Sequence, residues 1–159
     1  MLDAIDLQIL DLLQDNARIP QVEIARLVGL APSAVLERLR KLEGRGVIRG
    51  YAAHLDPKAL DQRLLAFVAL RTTDRSAETR VAQTLAAIPE VLEIHHVAGD
   101  DCLLLKVRAR DPEHLSQILR DRLGVDGVRS TRTTIVLESI KETTKLPIAV
   151  AIDRDEVTS

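Results

Sequence analysis

The strongest constraint on this chain is the spacing of small, glycine and apolar residues in Gln21-Val22-Glu23-Ile24-Ala25-Arg26-Leu27-Val28-Gly29-Leu30-Ala31-Pro32-Ser33-Ala34-Val35. Two helices joined by a three- to four-residue turn cross closely only where the first offers a small side chain, and Ala25 supplies one. Gly29 can take the positive φ that ends the first helix, and Pro32 suits the first turn of the second, where its missing N–H costs nothing. Ile24, Val28 and Leu30 before the second helix, and Val35, Leu39 and Leu42 within it, recur at helical spacing and give both helices an inward stripe. The joint pattern predicts a helix-turn-helix. On this segment alone the competing reading is an ordinary helical hairpin.

Upstream, Ile5, Ile9, Leu12 and Leu13 fall at i, i+4, i+7 and i+8 behind Asp3 as N-cap, so residues 3–16 are predicted to form a third, supporting helix. Downstream, Gly44-Arg45-Gly46-Val47-Ile48-Arg49-Gly50-Tyr51 places glycine breaks around a short apolar pair. That pattern predicts a turn into a small strand, the wing of a winged helix. Arg38, Arg40, Lys41, Arg45 and Arg49 cluster here against only Glu37 and Glu43. A local basic surface on a chain whose net charge is −2 suits a duplex docked at one place better than a coat of nucleic acid. The chain has one Phe, Phe67, one Tyr, Tyr51, and no Trp, which argues against stacking of single-stranded bases.

Past a polar connection at residues 52–62 the periodicity changes. Residues 64–72, 91–98, 102–109 and 129–140 are predicted as strands. Residues 77–88 and 111–123 are predicted as amphipathic helices, the second opened by Asp111 as N-cap and Pro112 at its first position. The order β-α-β-β-α-β predicts a ferredoxin-like sheet with both helices on one face. The fold class is therefore α+β, with a winged helix-turn-helix at residues 1–51, a hinge at 52–62, an αβ-sandwich at 63–142 and a tail at 143–159.

An antiparallel sheet with one wet face should alternate apolar and polar residues, yet Leu64-Leu65-Ala66-Phe67-Val68-Ala69-Leu70 and Leu103-Leu104-Leu105 are apolar on both faces. Two helices cover one face, so the other is expected to be buried by a second copy about a two-fold axis. Two-fold symmetry also suits helix-turn-helix proteins, whose dimers read half-sites about 34 Å apart. A single cysteine, Cys102, excludes an internal disulfide, and no apolar run is long enough for a membrane span or a secretory signal. The expectation is a cytoplasmic protein with no membrane partner.

The chain resembles the Lrp/AsnC, or feast/famine, family of transcriptional regulators. The residues that carry the resemblance are Asp3-Ala4-Ile5-Asp6-Leu7-Gln8-Ile9-Leu10, the segment from 24 to 35, the run from Arg38 to Tyr51, and Val97-Ala98-Gly99-Asp100-Asp101-Cys102-Leu103-Leu104-Leu105-Lys106-Val107. The likeness extends to about Pro147. It implies a DNA-binding domain, a hinge, and a sensing domain that dimerises, often builds octamers, and binds small effectors, usually amino acids, between dimers. Such regulators control their own gene and neighbouring amino-acid metabolism genes. No cofactor is implied beyond the amino-acid effector.

Residue by residue, the family's recognition helix corresponds to residues 32–42, with Ser33, Ala34, Glu37, Arg38 and Lys41 outward and Arg40, Arg45 and Arg49 completing the DNA surface. A bidentate contact from Arg38 or Lys41 to guanine would be worth roughly 1 to 3 kcal/mol of discrimination, and a phosphate contact or a solvated helix face is the alternative. Glu37 is expected to pair with Lys41 at i, i+4, and accepting from cytosine is the alternative. Ala31 stands where a serine cap is common, and Leu36 where a polar residue is frequent. The effector turn maps to Gly99, Asp100, Asp101 and Cys102, without the tyrosine common in relatives. Its glycine N–H groups suit a ligand carboxylate and its aspartates an ammonium, whereas plain turn formation is the competing role of the aspartates. The segment before the last strand adds Gly127, Ser130, Thr131 and Thr133, although strands also carry threonine for β-propensity alone.

Other constellations are weaker. His95 and His96 are neighbours in a strand and point to opposite faces, so they cannot form a metal pair by themselves. Cys102 reads as a small buried residue rather than a nucleophile. Some relatives of this architecture are sirohaem decarboxylases, but the strand at 91–98 lacks the aromatic surface a macrocycle stacks on. An effector-independent DNA-architectural protein is the other alternative. In the tail, Leu146-Pro147-Ile148-Ala149-Val150-Ala151-Ile152 is apolar enough to dock on a partner, and residues 153–159 read as a frayed end.

Overall fold

The computed structural model describes residues 1–148, so the tail beyond Ile148 lies outside the described residues. The chain divides into two compact units: residues 1–54 together with the segment from Glu142, and residues 55–141. Of the segment expected as a tail, the described residues 143–148 group with the first unit.

Among its described residues the first unit has three helices, α1 (Ala4–Asp15), α2 (Gln21–Val28) and α3 (Pro32–Gly44). Asp3 caps α1 in a reciprocal box: the Asp6 N–H donates to Asp3 Oδ1 at 2.8 Å and the Asp3 N–H to Asp6 Oδ2 at 3.3 Å. Gly29 closes α2 at φ 68°, and the following Leu30 N–H returns to the Ala25 carbonyl at 2.9 Å. Pro32 opens α3, whose cap residue Ala31 makes no side-chain hydrogen bond, as the missing serine implies. Ile9, Ile24, Ala25, Val35, Leu39 and Leu42 form the core. The expected wing strand does not form. Arg45 to Gly50 is instead a turn that returns the Val47 and Ile48 N–H groups to the Leu42 carbonyl and tucks Ile48 against the core. The N–H groups of Arg45 to Ile48 are thus spent on the end of α3 rather than on a strand ladder.

The second unit is a four-stranded antiparallel sheet in the order β2-β3-β1-β4, with β1 (Leu64–Thr72), β2 (Val91–His96), β3 (Leu103–Ala109) and β4 (Val128–Val136). Helices α4 (Arg75–Ala86) and α5 (Pro112–Gln117) connect them in the ferredoxin-like βαββαβ order. Helix α4 begins two residues before the expected start because Asp74 caps it, accepting from the Ala77 N–H at 3.0 Å. Past α5 the chain widens into a π turn over Ile118–Arg122, where the Leu123 N–H reaches the Ile118 carbonyl at 3.0 Å. This keeps Ile118 and Leu123, five residues apart, both in the core. Strand β4 stops at Val136, short of the expected Ile140, because Val136 pairs with Leu65 at the start of β1 and little partner strand remains. The second half of the expected hinge is also ordered: Pro57 to Gln62 closes a turn through the Gln62 N–H to the Pro57 carbonyl at 2.7 Å.

Ala66, Val68 and Leu70 of β1 and Leu103, Leu105, Val107 and Ala109 of β3 pack against Ala77, Val81, Leu85, Leu115, Ile118 and Leu123. The opposite sheet face carries Leu65, Phe67 and Ala69, with no helix over it among the described residues. Gly127, at φ 97°, lies where an added Cβ would meet Val81 Cγ2 at 3.0 Å and Ala77 Cβ at 3.1 Å. Gly127→Ala is expected to cost about 2 kcal/mol or more, from overpacking plus the positive φ, read as a lowered denaturant midpoint with unchanged m-value.

Candidate nucleic-acid interface and ligand turn

In α3 the buried residues Val35, Leu39 and Leu42 define the inward stripe, and 100° per residue puts Ser33, Glu37, Arg40 and Lys41 opposite it. All four are exposed, and Ala34 is half-buried at one flank. Leu36 lies at the other flank, lining a cleft of about 250 Å³ with Leu13, Ile19, Ile24 and Leu39. Its apolar side chain therefore leaves the outward strip polar. Glu37 and Lys41 pair at 2.7 Å along the helix, as i, i+4 spacing allows, and the ammonium holds the Glu37 carboxyl below its ordinary value. Arg40, Arg45 and Arg49 are exposed and make no ion pair among the described residues.

Arg38 is a correction to the sequence reading. Its Nη1 donates to Asp3 Oδ2 at 2.7 Å and to Asp6 Oδ1 at 2.6 Å, so the side chain braces α3 against the start of α1 instead of facing outward. The capping box brings the two carboxylates together, and Asp6 is only 8% exposed, so a cation between them offsets both their repulsion and their desolvation. The Asp6 N–H and then the Arg38 guanidinium hold the Asp3 carboxyl below 3.8, and Arg38 in turn is raised by its two partners. Nothing in helical periodicity marks this bridge, because it depends on how α1 and α3 pack. At the end of this unit Tyr51 donates to Glu43 Oε1 at 2.9 Å, and partial burial, then Glu43, push its phenol up to about 12.

The predicted effector residues divide into three groups. Gly99, at φ 135°, turns the chain between β2 and β3, with Asp100 91% exposed and Asp101 drawn inward. Asp101 is held by Arg132 of β4 and lies 3.5 Å from Arg71 Nε of β1, while Asp100 lies 3.8 Å from Arg71. Sequence reasoning missed both arginines; they meet the turn only because β1 lies between β3 and β4. Cys102 is half-buried just before β3, its N–H on the Leu70 carbonyl at 2.8 Å and its Sγ accepting from Thr72 Oγ1 at 3.5 Å. Ser130 pairs across from Arg71 and shares its face, whereas Thr131 and Thr133 pair with Leu70 and Val68 and take the helix-covered side. The three hydroxyls therefore do not converge, since side chains alternate along a strand. Gly127 is a packing residue beneath α4 and is not part of the turn cluster. The histidines separate as alternation requires: His95 lies 3.2 Å from Glu93, His96 3.7 Å from Glu78 of α4.

Arg38→Ala is expected to destabilise the first unit by about 1–2 kcal/mol, with Arg38→Lys recovering part, because Asp6 is left without its partner at a half-screened site. A depressed carboxyl contributes stability above its unfolded value that is lost as pH falls through its folded one. Denaturation followed between about pH 5 and 2 should therefore show an acid limb that is shallower in Arg38→Ala.

Comparison with known proteins agrees with both units. The Lrp/AsnC ligand binding domain matches residues 65–146, and a winged helix-turn-helix DNA-binding family matches residues 2–49. The HTH-type transcriptional regulator FL11 of Pyrococcus horikoshii is 40% identical over 148 residues, 92% of this chain and 97% of that protein. The leucine-responsive regulatory protein of Escherichia coli strain K12 is 42% identical over 151 residues, 92% of each. Among solved structures, a transcriptional regulator of Neisseria meningitidis in complex with L-Met superposes at a TM-score of 0.89 with 35% identity, over 94% of this chain and 98% of that one. These relatives are regulators of transcription, and the enzyme alternative falls away with them. With a ligand-binding sheet domain behind a helix-turn-helix, the chain belongs to the Lrp/AsnC family of DNA-binding transcriptional regulators.

Proposed function

We propose that this regulator reads duplex DNA with the outward strip of α3, Ser33, Glu37, Arg40 and Lys41, and grips phosphates with Arg45 and Arg49. The observation that carries the reading is the set of three exposed arginines, Arg40, Arg45 and Arg49, without ion-pair partners among the described residues, on and just beyond a helix whose other face is buried. Of the two residues first expected to read bases, Arg38 has its guanidinium committed to Asp3 and Asp6, so Lys41 keeps that role and Arg40 joins it. The effector is an amino acid, its ammonium received by Asp100 and its carboxylate by Arg71 or Arg132, a pairing of opposite charges the turn already uses internally. The relative solved with L-Met supports that class of ligand.

The working form is at least a homodimer joined through the helix-free sheet face, where Leu65 and Ala69 flank Phe67, itself 36% exposed. Sheet-on-sheet packing about a two-fold axis would cover this strip, and further dimers would assemble toward an octamer. Phe67→Lys places a charge in that interface. It is expected to shift the mass measured by light scattering at micromolar concentration toward the monomer, and an unchanged mass would reject this face.

Fluorescence anisotropy on a duplex from the protein's own upstream region, against a scrambled duplex at fixed salt, tests the reading. Arg40→Ala should narrow the gap between the two duplexes, whereas Arg49→Ala should weaken both alike and reduce the salt slope by about 1. With each amino acid added in turn, one should change the affinity, and Asp100→Ala or Arg132→Ala should abolish that response without dissociating the dimer. Selective binding with no response to any amino acid would favour the effector-independent architectural alternative.

A further inference from the structure

The end of the described chain returns to the first helix. The carboxamide of Gln14 donates from Nε2 to the Leu146 carbonyl at 3.0 Å and accepts the Leu146 N–H on Oε1 at 2.7 Å. One residue earlier, Lys145 Nζ is paired with Asp15 and lies 3.6 Å from Asp11. These residues fall in one compact unit, although 132 positions separate Gln14 from Leu146. The first unit is therefore discontinuous in sequence, and the whole ligand-binding sheet is inserted between its two parts.

We propose that residues 142–148 form a latch that docks on the outward face of α1 and steadies the DNA-reading unit, with Gln14 setting its register and Asp11 and Asp15 selecting Lys145. A carboxamide presents a donor and an acceptor side by side, so it pairs with both backbone groups of one residue as a neighbouring strand would. That pairing reads position and ignores the side chain. The two aspartates add the selection, since only a cation at the preceding residue satisfies them. Helix α1 then has partners at both ends: its last turns hold the latch, and its first turn holds Arg38 of α3. Restraining α1 restrains the helix on which the DNA strip lies. The latch residues follow β4, so the ligand-binding unit joins the DNA-reading unit through two covalent crossings, at 54–55 and at 141–142. Lys145, Asp11 and Asp15 keep 42%, 39% and 62% of their side-chain exposure. Ion pairs this exposed are weak and screened by salt, which makes the latch reversible.

Backbone amide exchange on the full-length protein, in its native assembly, tests the docking. In the wild type the Leu146 amide should be protected at low salt and lose protection as salt rises. Lys145→Glu should speed its exchange roughly tenfold, while amides of β1 and β3 stay unchanged as internal controls of folding. Adding D11K and D15K to K145E should restore protection, which a general loss of stability would not allow. A Leu146 amide exchanging at the unstructured rate in the wild type, or unaffected by Lys145→Glu, overturns the latch. The same variants titrated with the upstream duplex test its consequence: K145E should lower affinity several-fold and the charge-swapped variant should recover it. Unchanged affinity in K145E, with protection lost, overturns the steadying role. This arm rests on the DNA-binding reading above, but the exchange arm does not, so a wild type that failed to bind duplex would reject that reading and leave the latch standing.

Discussion

Strand β1 is hydrogen-bonded along both edges, to β3 and to β4, and its register with those neighbours decides what every other part of the second unit can do. Because side chains alternate, this register sends Ala66, Val68 and Leu70 into the helix-covered core and leaves Leu65, Phe67, Ala69 and Arg71 on the opposite face. A slip of one residue would exchange the two sets. It would also separate Arg71 from Asp101 and carry Arg132, held opposite Ala69, away from the turn. The apolar strip and the charged end of the sheet are thus two results of one pairing.

The first unit depends on a different device. Three short helices enclose a small core, and the polar bridge from Arg38 to Asp3 and Asp6 joins helices that the turn between α2 and α3 does not. Its strength comes from local geometry: the capping box gathers two carboxylates at the start of α1, and the packing of α3 brings one guanidinium between them. The arginines that keep their charge available, Arg40, Arg45 and Arg49, are those for which no such carboxylate lies within reach among the described residues.

Much of the fold was legible in the sequence where periodicity and end signals agree. Asp3, Gly29, Pro32, Asp111 and Pro112 each sit at the helix end expected of them, and β1 spans the expected residues 64–72. The errors lie where a local signal met a tertiary demand. The glycine-bracketed segment after α3 reads as a strand, but its N–H groups return to Leu42 to close the helix. The helix after Pro112 widens into a π turn so that Ile118 and Leu123 share the core. At Gly127 the sequence gives no sign that α4 comes too close for a Cβ.

By itself the sequence determined the two units, the helix-turn-helix, the order of the strands, and the apolar character of both faces of β1. These follow from spacing along the chain, and spacing is a local property. The tertiary structure alone decided that Arg38 is a brace, that Arg71 and Arg132 meet Asp101, that Ser130 parts company with Thr131 and Thr133, and that Lys145 comes back to α1. Each of these joins residues about 30 or more positions apart, or assigns neighbours to opposite faces. Such outcomes depend on packing and register, which no window of sequence contains.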